Sequence, residues 1–487
     1  MAASKPQSKD DQVTEYIAVG KFSKNVVAAC DAVAALFPAQ VVRAASSAYI
    51  EAQNSYWNAS QRQKEPACFF QPTSAEQVSA AIVEVVRADC AFAIKGGGHS
   101  SNPDGSSIQD GFQFDLSKLN HIEISETDRT LRVGPGVHWG PLLKILESRG
   151  LSAVGGRDAG VGVPGFVFGG GLSYYSAQHG WGIDNLISFD IVLANGDLLT
   201  VDRDSHPDLD KALHGGGAFN FGIVTSLTLK LHSYDGMWGG MNVVDEANFD
   251  AVWDAYDKYT SDLIEEKKAH LIMDFFSSMA EWWSRNSWLS SHRNRIRPFS
   301  KAFVASPNGL AKEMQEVTNC RGERNAYWTL AMRYDIRLLK DCYELWARMT
   351  KAYEDRFRFA FDVNHITPAM RNQAARRGTG NVYGLEGEDK PMTNILLTAR
   401  WSHESEDELV ASILQSLGDA IEATAYREGK GLSFKYMNYA HHYQDVIAGF
   451  GEQNKAFLLK VAAKYDPTEV FQRLRQGPFK LEEDRWD

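Results

Sequence analysis

Three consecutive glycines, Gly96, Gly97 and Gly98, stand between an apolar run, Cys90 to Ile94, and a histidine. The apolar run reads as a buried strand. Stripped of side chains, the backbone that follows can curl, take positive φ and aim successive N–H groups at one point. A concavity of that kind binds anions, phosphates above all. His99 comes next, and the chain then enters a polar turn, Ser100 to Gly105. Lys95-Gly-Gly-Gly-His-Ser100 therefore predicts a phosphate-holding loop with one nucleophilic or ligating imidazole at its lip. On this stretch alone, a tight turn with a solvated histidine is the open alternative.

Later segments favour the loop. Gly155 to Gly171 is a second glycine-rich region, with Gly160, Gly162 and Gly165 at GxGxxG spacing. A dinucleotide fingerprint of that form should open a helix after a strand. Pro164 and Gly169 to Gly171 stand against an ordinary helix there, and no clean βαβ unit precedes it. The reading is instead a second bare-backbone wall for a large, flat, charged ligand. Gly215 to Gly222 is a third cluster.

With 487 residues the chain has room for roughly two to four domains. A net charge of −11 argues against nucleic-acid binding, and the basic run Arg371 to Arg377 reads as a solvated helix face. Five scattered cysteines without a CxxC predict neither a disulfide framework nor a zinc site, and no metal is expected. The first residues lack the apolar core of a secretory signal and no run of 18 apolar residues occurs. The expectation is an intracellular, cytoplasmic enzyme without a membrane span, in which the sequon Asn58-Ala-Ser60 is idle.

Along the chain, residues 1–20 read as frayed and Asn25 to Leu36 as a helix. Pro72 to Gln77 is a helix start: Thr73 or Ser74 can cap, and Glu76 or Gln77 can reach back. Phe112 to Leu116 and Thr130 to Val133 alternate like half-buried strands, Gly140 to Ser148 reads as a helix closed by Gly150, and Asn195-Gly196 marks a hairpin. Near residue 234 the glycine clusters stop and tryptophans accumulate, among them Trp238, Trp253, Trp282, Trp283, Trp288, Trp328, Trp346 and Trp401. Helical and strand patterns alternate from there to about residue 425, predicting an α+β unit. Leu432 to Tyr439 alternates like a strand, and a helix from Asn454 to Asp466 ends at Pro467.

Read together, these motifs resemble the FAD-linked oxidases of the vanillyl-alcohol-oxidase superfamily, in the berberine-bridge-enzyme-like and 6-hydroxy-D-nicotine-oxidase-like branch with its fungal secondary-metabolism members. The carriers are Lys95 to Ser100, Gly155-Gly-Arg157, Gly169-Gly-Gly-Leu172, Gly180 to Asn185, Asn220 to Thr225, Tyr436-Met-Asn-Tyr439 and Tyr465-Asp-Pro467, in order along the chain. The resemblance implies an α+β fold: a PCMH-type FAD-binding domain over 1–233 with its core at about 60–233, a substrate domain with a helix-covered antiparallel sheet over 234–425, and a C-terminal segment, 426–487, returning to the first domain.

The resemblance also implies a cofactor site. FAD should lie on Gly96, Gly97, Gly98 and Ser100, with Gly170 and Gly171 opposite; Lys95, Gly156, Gly165, Gly222, Ile223, Val224 and Asn438 complete the set. His99 matches the histidine that bonds to the flavin 8α-methyl group. Asp158 stands where doubly linked members carry cysteine, and a carboxylate cannot form that thioether, so one covalent link is expected.

A flavin would take a hydride at N5 from a C–H next to oxygen or nitrogen, and a protein base would take the accompanying proton. Tyr436 is the expected base or substrate anchor, with packing or a hydrogen bond to the flavin as the alternative. On an ideal strand Tyr436 and Tyr439 would face opposite sides. The adjacent His441 and His442 read as a surface loop. The aromatic residues of 234–424 favour a flat or apolar substrate, unless they only fill a core. Val161 matches the oxygen-gatekeeper position, and its small side chain leans to an oxidase of a small aromatic, alkaloid, terpenoid or polyketide metabolite, with O2 as acceptor and H2O2 as product. A dehydrogenase and a non-redox flavin-scaffolded cyclase are the alternatives. The partners expected are that substrate and O2, in a monomer or homodimer.

Overall fold

The computed structural model describes residues 22–482 except 45, 240–241, 245, 263–266, 278–298, 301–302, 319–321, 378–379 and 386. The expectation of fraying at 1–20 lies outside the described residues, as do Cys320, Trp282, Trp283 and Trp288.

The first sheet holds β1 (Val41–Arg43), β2 (Cys68–Phe70), β3 (Phe92–Lys95) and β4 (Phe112–Asp115), in the order β1-β2-β4-β3. β4 runs parallel to both β2 and β3. Two helices, Lys24–Leu36 and Ala75–Arg87, share its apolar core. The second helix starts as its sequence dictates. The Ser74 hydroxyl accepts from the Gln77 N–H, and the Gln77 side chain accepts from the Thr73 N–H. Val78, Ala81, Ile82 and Val85 then recur on its buried face. β4 corrects the half-buried expectation: all four of its residues are buried. A strand in a parallel arrangement is covered on both faces, so alternation of polarity does not report exposure there.

The second sheet joins β5 (Ile122–Ser125), β6 (Thr130–Val133), β7 (Leu186–Val192), β8 (Leu198–Val201) and β9 (Ile223–Lys230) in the order β5-β6-β9-β7-β8. The hairpin between β7 and β8 turns at Asn195-Gly196, where Gly196 has a φ of 88°.

The third sheet carries β10 (Ile272–Phe276), β11 (Arg324–Arg333), β12 (Arg358–Ile366), β13 (Met392–Trp401) and β14 (Gly431–Leu432) in the order β10-β12-β13-β11-β14, all antiparallel. Its residues sort by the two-residue period of a strand. Phe275, Trp328, Phe361, Val363, Ile395 and Leu397 face a core built with the helices Ile336–Thr350 and Asp407–Arg427. Asp274, Tyr327, Asp362, Asn364, Leu396, Thr398 and Arg400 face the other way, into a cavity.

Several expectations change. Cys30 and Cys68 form a disulfide between the first helix and β2, although 38 positions separate them and neither lies in a recognisable framework. Cys90 and Cys342 are free and buried. A helix does follow Gly160-x-Gly162: Val163–Phe168, six residues long, with Pro164 in its first turn. Proline is tolerated there because the first N–H groups of a helix have no intrahelical partner, while Gly169 to Gly171 end the helix. Among the described residues of the return segment only Gly431–Leu432 forms a strand, and Met437–Tyr439 is a 3-10 turn, so strand alternation does not separate Tyr436 from Tyr439. His441 is buried against Trp328 rather than in a surface loop. Arg371 is buried and donates to the Glu388 and Lys390 carbonyls, not solvated. Asn58 is fully buried and its amide donates to the Ser101 and Asn325 carbonyls, which leaves the sequon no room for a glycan. Among the described residues no helix is long and apolar enough to cross a membrane.

Candidate active site

The glycine loop after β3 and the Gly155–Gly171 wall meet back to back. A Cβ on Gly97 would lie 2.5 Å from the Gly162 Cα, so the two chains touch through bare backbone. Gly98 has a φ of 68°, a conformation that favours glycine. Beside this contact opens a cavity of about 390 Å³. Gly96, Gly97, Gly98, His99, Ser100, Gly156, Asp158, Val161, Gly165, Gly222, Val224, Tyr436 and Asn438 all line it.

Four expected residues stand back from it. The Lys95 ammonium is buried on Asp115, at 3.1 Å, and on Ser55, so its role is to tie β3 to β4. Ile223 packs into the core of the first sheet. Gly170 and Gly171 have φ values of 116° and 89°; Gly170 turns toward Tyr383, Tyr436 and Trp181, and Gly171 toward Phe166 and Gly182. Their neighbours Gly169 and Leu172 line the cavity in their place.

Tyr436 explains this turn. Its hydroxyl oxygen accepts from the N–H groups of Gly171 at 3.0 Å and Leu172 at 2.9 Å, and from the Asn438 amide at 3.1 Å. Asn438 also donates to the Phe166 carbonyl. The phenol thus straps the return segment to the second glycine wall. Burial pushes its pKa up to about 12, with Tyr439 adding to the rise.

His99 sits at the rim of both walls. Trp57 stacks on it at 4.4 Å and 14° between planes. Its Nε2 is 3.8 Å from Asp158, whose other contacts are the Gly160 N–H and the Thr318 hydroxyl. Burial lowers the pKa of His99, and Asp158 works against that fall. His138 Nε2 lies 3.1 Å from the Gly97 carbonyl and is likewise kept neutral by burial.

Sequence reasoning missed the polar cluster opposite. Asp274 and Asp362 are directly cross-strand on β10 and β12, and their carboxyls hydrogen-bond to each other. Both face the cavity. Asp274 is open to the cavity volume yet surrounded by protein, so desolvation raises its pKa to about 6 while Arg157 pulls it down. Asp362 is raised well above the carboxylate range by burial and by the charge of Asp274. Two carboxyls this close cannot both ionise at little cost, so they hold a proton between them. Arg157 donates to Asn364 at 2.9 Å and to the Tyr439 hydroxyl at 2.5 Å, and lies 3.2 Å from His270 Nε2. Burial opposes its charge, but Tyr439, Tyr174, Tyr436 and Asp274 more than offset that. Only Arg157 carried a sequence signal, within Gly155-Gly-Arg157. None of the described tryptophans lines the cavity: Trp253, Trp328, Trp346 and Trp401 fill the core behind the sheet and Trp238 is exposed.

The donor set fits FAD. Gly165 faces open space where a Cβ would stand, and the loop from Gly96 to Ser100 lines the same cavity with little more than backbone. A flat ring system and a diphosphate need such walls. The fit agrees with three comparisons. Residues 66–202 match the family model described as an FAD binding domain. The chain is 31% identical over 456 residues to the FAD-dependent monooxygenase tpcD of Cochliobolus heterostrophus, covering 88% of this chain and 87% of that protein. Among solved structures it is similar to xylooligosaccharide oxidase from Myceliophthora thermophila, with TM-score 0.73, 19% identity, and 93% and 99% of the two chains covered. It is also similar to berberine bridge enzyme from Eschscholzia californica, with TM-score 0.69, 17% identity, and 93% and 98% covered.

Proposed function

The chain belongs to the family of FAD-dependent oxidoreductases that includes the FAD-dependent monooxygenase tpcD, and on that premise we propose that it oxidises a small secondary metabolite carrying a hydroxyl or amino group at the reacting carbon. The observation that supports this most is the face of the third sheet, which sets Asp274, Asp362, Asn364 and Arg400 across the cavity from the glycine walls. FAD, when bound, would supply the two-electron acceptor. Everything else falls to the chain's own residues.

The Asp274–Asp362 pair, with one pKa near 6, accepts the substrate's hydroxyl or amine proton at neutral pH. Tyr436, donor-bound on the glycine wall and at about 12, is a tie rather than a base. Arg157 holds Asn364 and Tyr439 in place around the substrate. His99 carries the flavin covalently, and Asp158, unable to form a thioether, leaves that link single. Val161 stays small beside the cavity and leaves room for O2. The division at 1–233, 234–425 and 426–487 assigns the first and last segments to the cofactor and the middle one to the substrate. The Cys30–Cys68 disulfide favours an oxidising compartment over the intracellular one expected.

The name of the 31% identical relative favours a second reading, monooxygenation. Both readings are tested together. Purified enzyme is mixed anaerobically with a panel of fungal aromatic, polyketide and terpenoid-alkaloid metabolites, and bleaching of the flavin identifies substrates. Turnover under ¹⁸O2 then decides: label recovered in hydrogen peroxide supports the oxidase, and label in the organic product supports the monooxygenase. If substrate is converted without bleaching, the redox reading fails.

A further inference from the structure

The surroundings of His99 are more elaborate than a covalent anchor requires. Asp158 is fixed on both oxygens, by the Gly160 N–H at 2.6 Å and by the Thr318 hydroxyl. Thr318 ends the helix Pro307–Thr318, far along the chain, and its carbonyl accepts from the Trp57 indole. Trp57 in turn donates its backbone N–H to the Gly98 carbonyl and stacks its ring on His99. The same helix accepts the Ala159 N–H at the Ala311 carbonyl. One imidazole is thus stacked on its face by Trp57 and has a carboxylate 3.8 Å from its Nε2, with Thr318 tied to both.

Resting on the histidyl link proposed above, we propose that Asp158 is a positioning residue for the attachment of FAD: it holds the His99 proton on Nε2 and leaves Nδ1 as the nucleophile. A carboxylate beside one ring nitrogen selects the tautomer protonated there, so the lone pair is on the other nitrogen. Burial keeps the free imidazole neutral and hence nucleophilic. As the bond forms, positive charge grows on the ring, and Asp158 meets it at 3.8 Å in surroundings where charge is poorly screened. In the balanced reaction one methyl C–H and the imidazole N–H break and one N–C bond forms. The two electrons and two protons released reduce dioxygen to hydrogen peroxide.

Apoprotein from flavin-limited cells is incubated with FAD in air, and flavin in the acid precipitate is followed over time. Wild type should turn yellow irreversibly. Asp158→Asn keeps the size of the side chain but not its charge; it should retain FAD before acid treatment and attach it about ten- to a hundredfold more slowly. Thr318→Val, which frees one Asp158 oxygen, should slow attachment less. Formate should restore attachment in Asp158→Ala, a response that a purely structural role would not give. NMR of the wild-type flavopeptide should place the bond at Nδ1. If wild-type precipitate is colourless, the histidyl link fails and this role with it. If wild type is coloured and Asp158→Asn attaches FAD at the same rate, only the positioning role is overturned. Should Asp158→Asn not fold, an unchanged rate in Thr318→Val overturns it, and so does a bond at Nε2.

Discussion

Single side chains set the reactivity of this cavity. Val161 is half-buried, with its carbonyl taken by the Trp139 N–H and its side chain beside the cavity. Val161→Leu adds one methylene on that wall, away from the Asp274–Asp362 face. It should slow re-oxidation of reduced flavin by O2 while leaving reduction by substrate nearly unchanged. Stopped-flow measurement of the two half-reactions checks this, and an unchanged re-oxidation rate removes Val161 from the oxygen path. Tyr436→Phe strips the shared acceptor from two buried N–H groups. Leaving buried donors unsatisfied costs about 1–3 kcal/mol each. The variant should melt at lower temperature and hold FAD less firmly, yet still be bleached by substrate. Loss of bleaching in protein that retains its flavin would return Tyr436 to the role of base.

At the scale of elements, the packing of the first helix on β2 depends on a cross-link that its sequence does not announce. The Cys30–Cys68 bridge closes a loop spanning 38 positions. Chain-entropy arguments give such a loop about 4 kcal/mol, by restricting the unfolded chain. Cys30→Ser with Cys68→Ser, or full reduction, should therefore lower the melting temperature by several degrees, with flavin loss following the melt. Non-reducing peptide mapping first establishes the bridge, and an unchanged melt on reduction would show that the helix docks without it. The second helix needs no such aid. Its cap and its buried stripe were both legible in the residues Thr73 to Val85, because they are interactions over three or four positions.

Taken whole, the molecule holds several imidazoles neutral in desolvated surroundings. His232, His270 and His441 are lowered to about 3 and His365 to about 4, in each case by burial first. In the unfolded chain they bind protons below the ordinary value of 6.5, whereas the native state does not until far lower pH. The unfolded state then holds more protons, so stability is full above pH 6.5 and falls as pH drops toward 4. Each fully discriminated proton changes stability by about 1.4 kcal/mol per pH unit. Asp274 and Asp362 act in the opposite sense, since the native state keeps their protons between the ordinary 3.8 and about 6 for Asp274. The histidines outnumber them. Thermal melts from pH 7.5 down to 5 should show a steadily falling midpoint, and a flat or rising midpoint would contradict this.

By itself the sequence determined the glycine walls, the place of His99, the Asp158 carboxylate and most helices and strands from Ala75 to Arg427. These follow from local chemistry: bare backbone, capping and hydrophobic period. Only the tertiary structure decided which residues face the cavity. The third sheet turns Trp328 inward and Asp274 and Asp362 toward the cavity, and strand period alone cannot say which of two faces is the core. The Cys30–Cys68 bridge, the stack of Trp57 on His99 and the reach of Thr318 to Asp158 join segments up to 160 residues apart. Contacts of that range arise from packing rather than from neighbouring residues, which is why the chain spells its glycine loops plainly and hides the paired carboxyls, the bridge and the surroundings of His99.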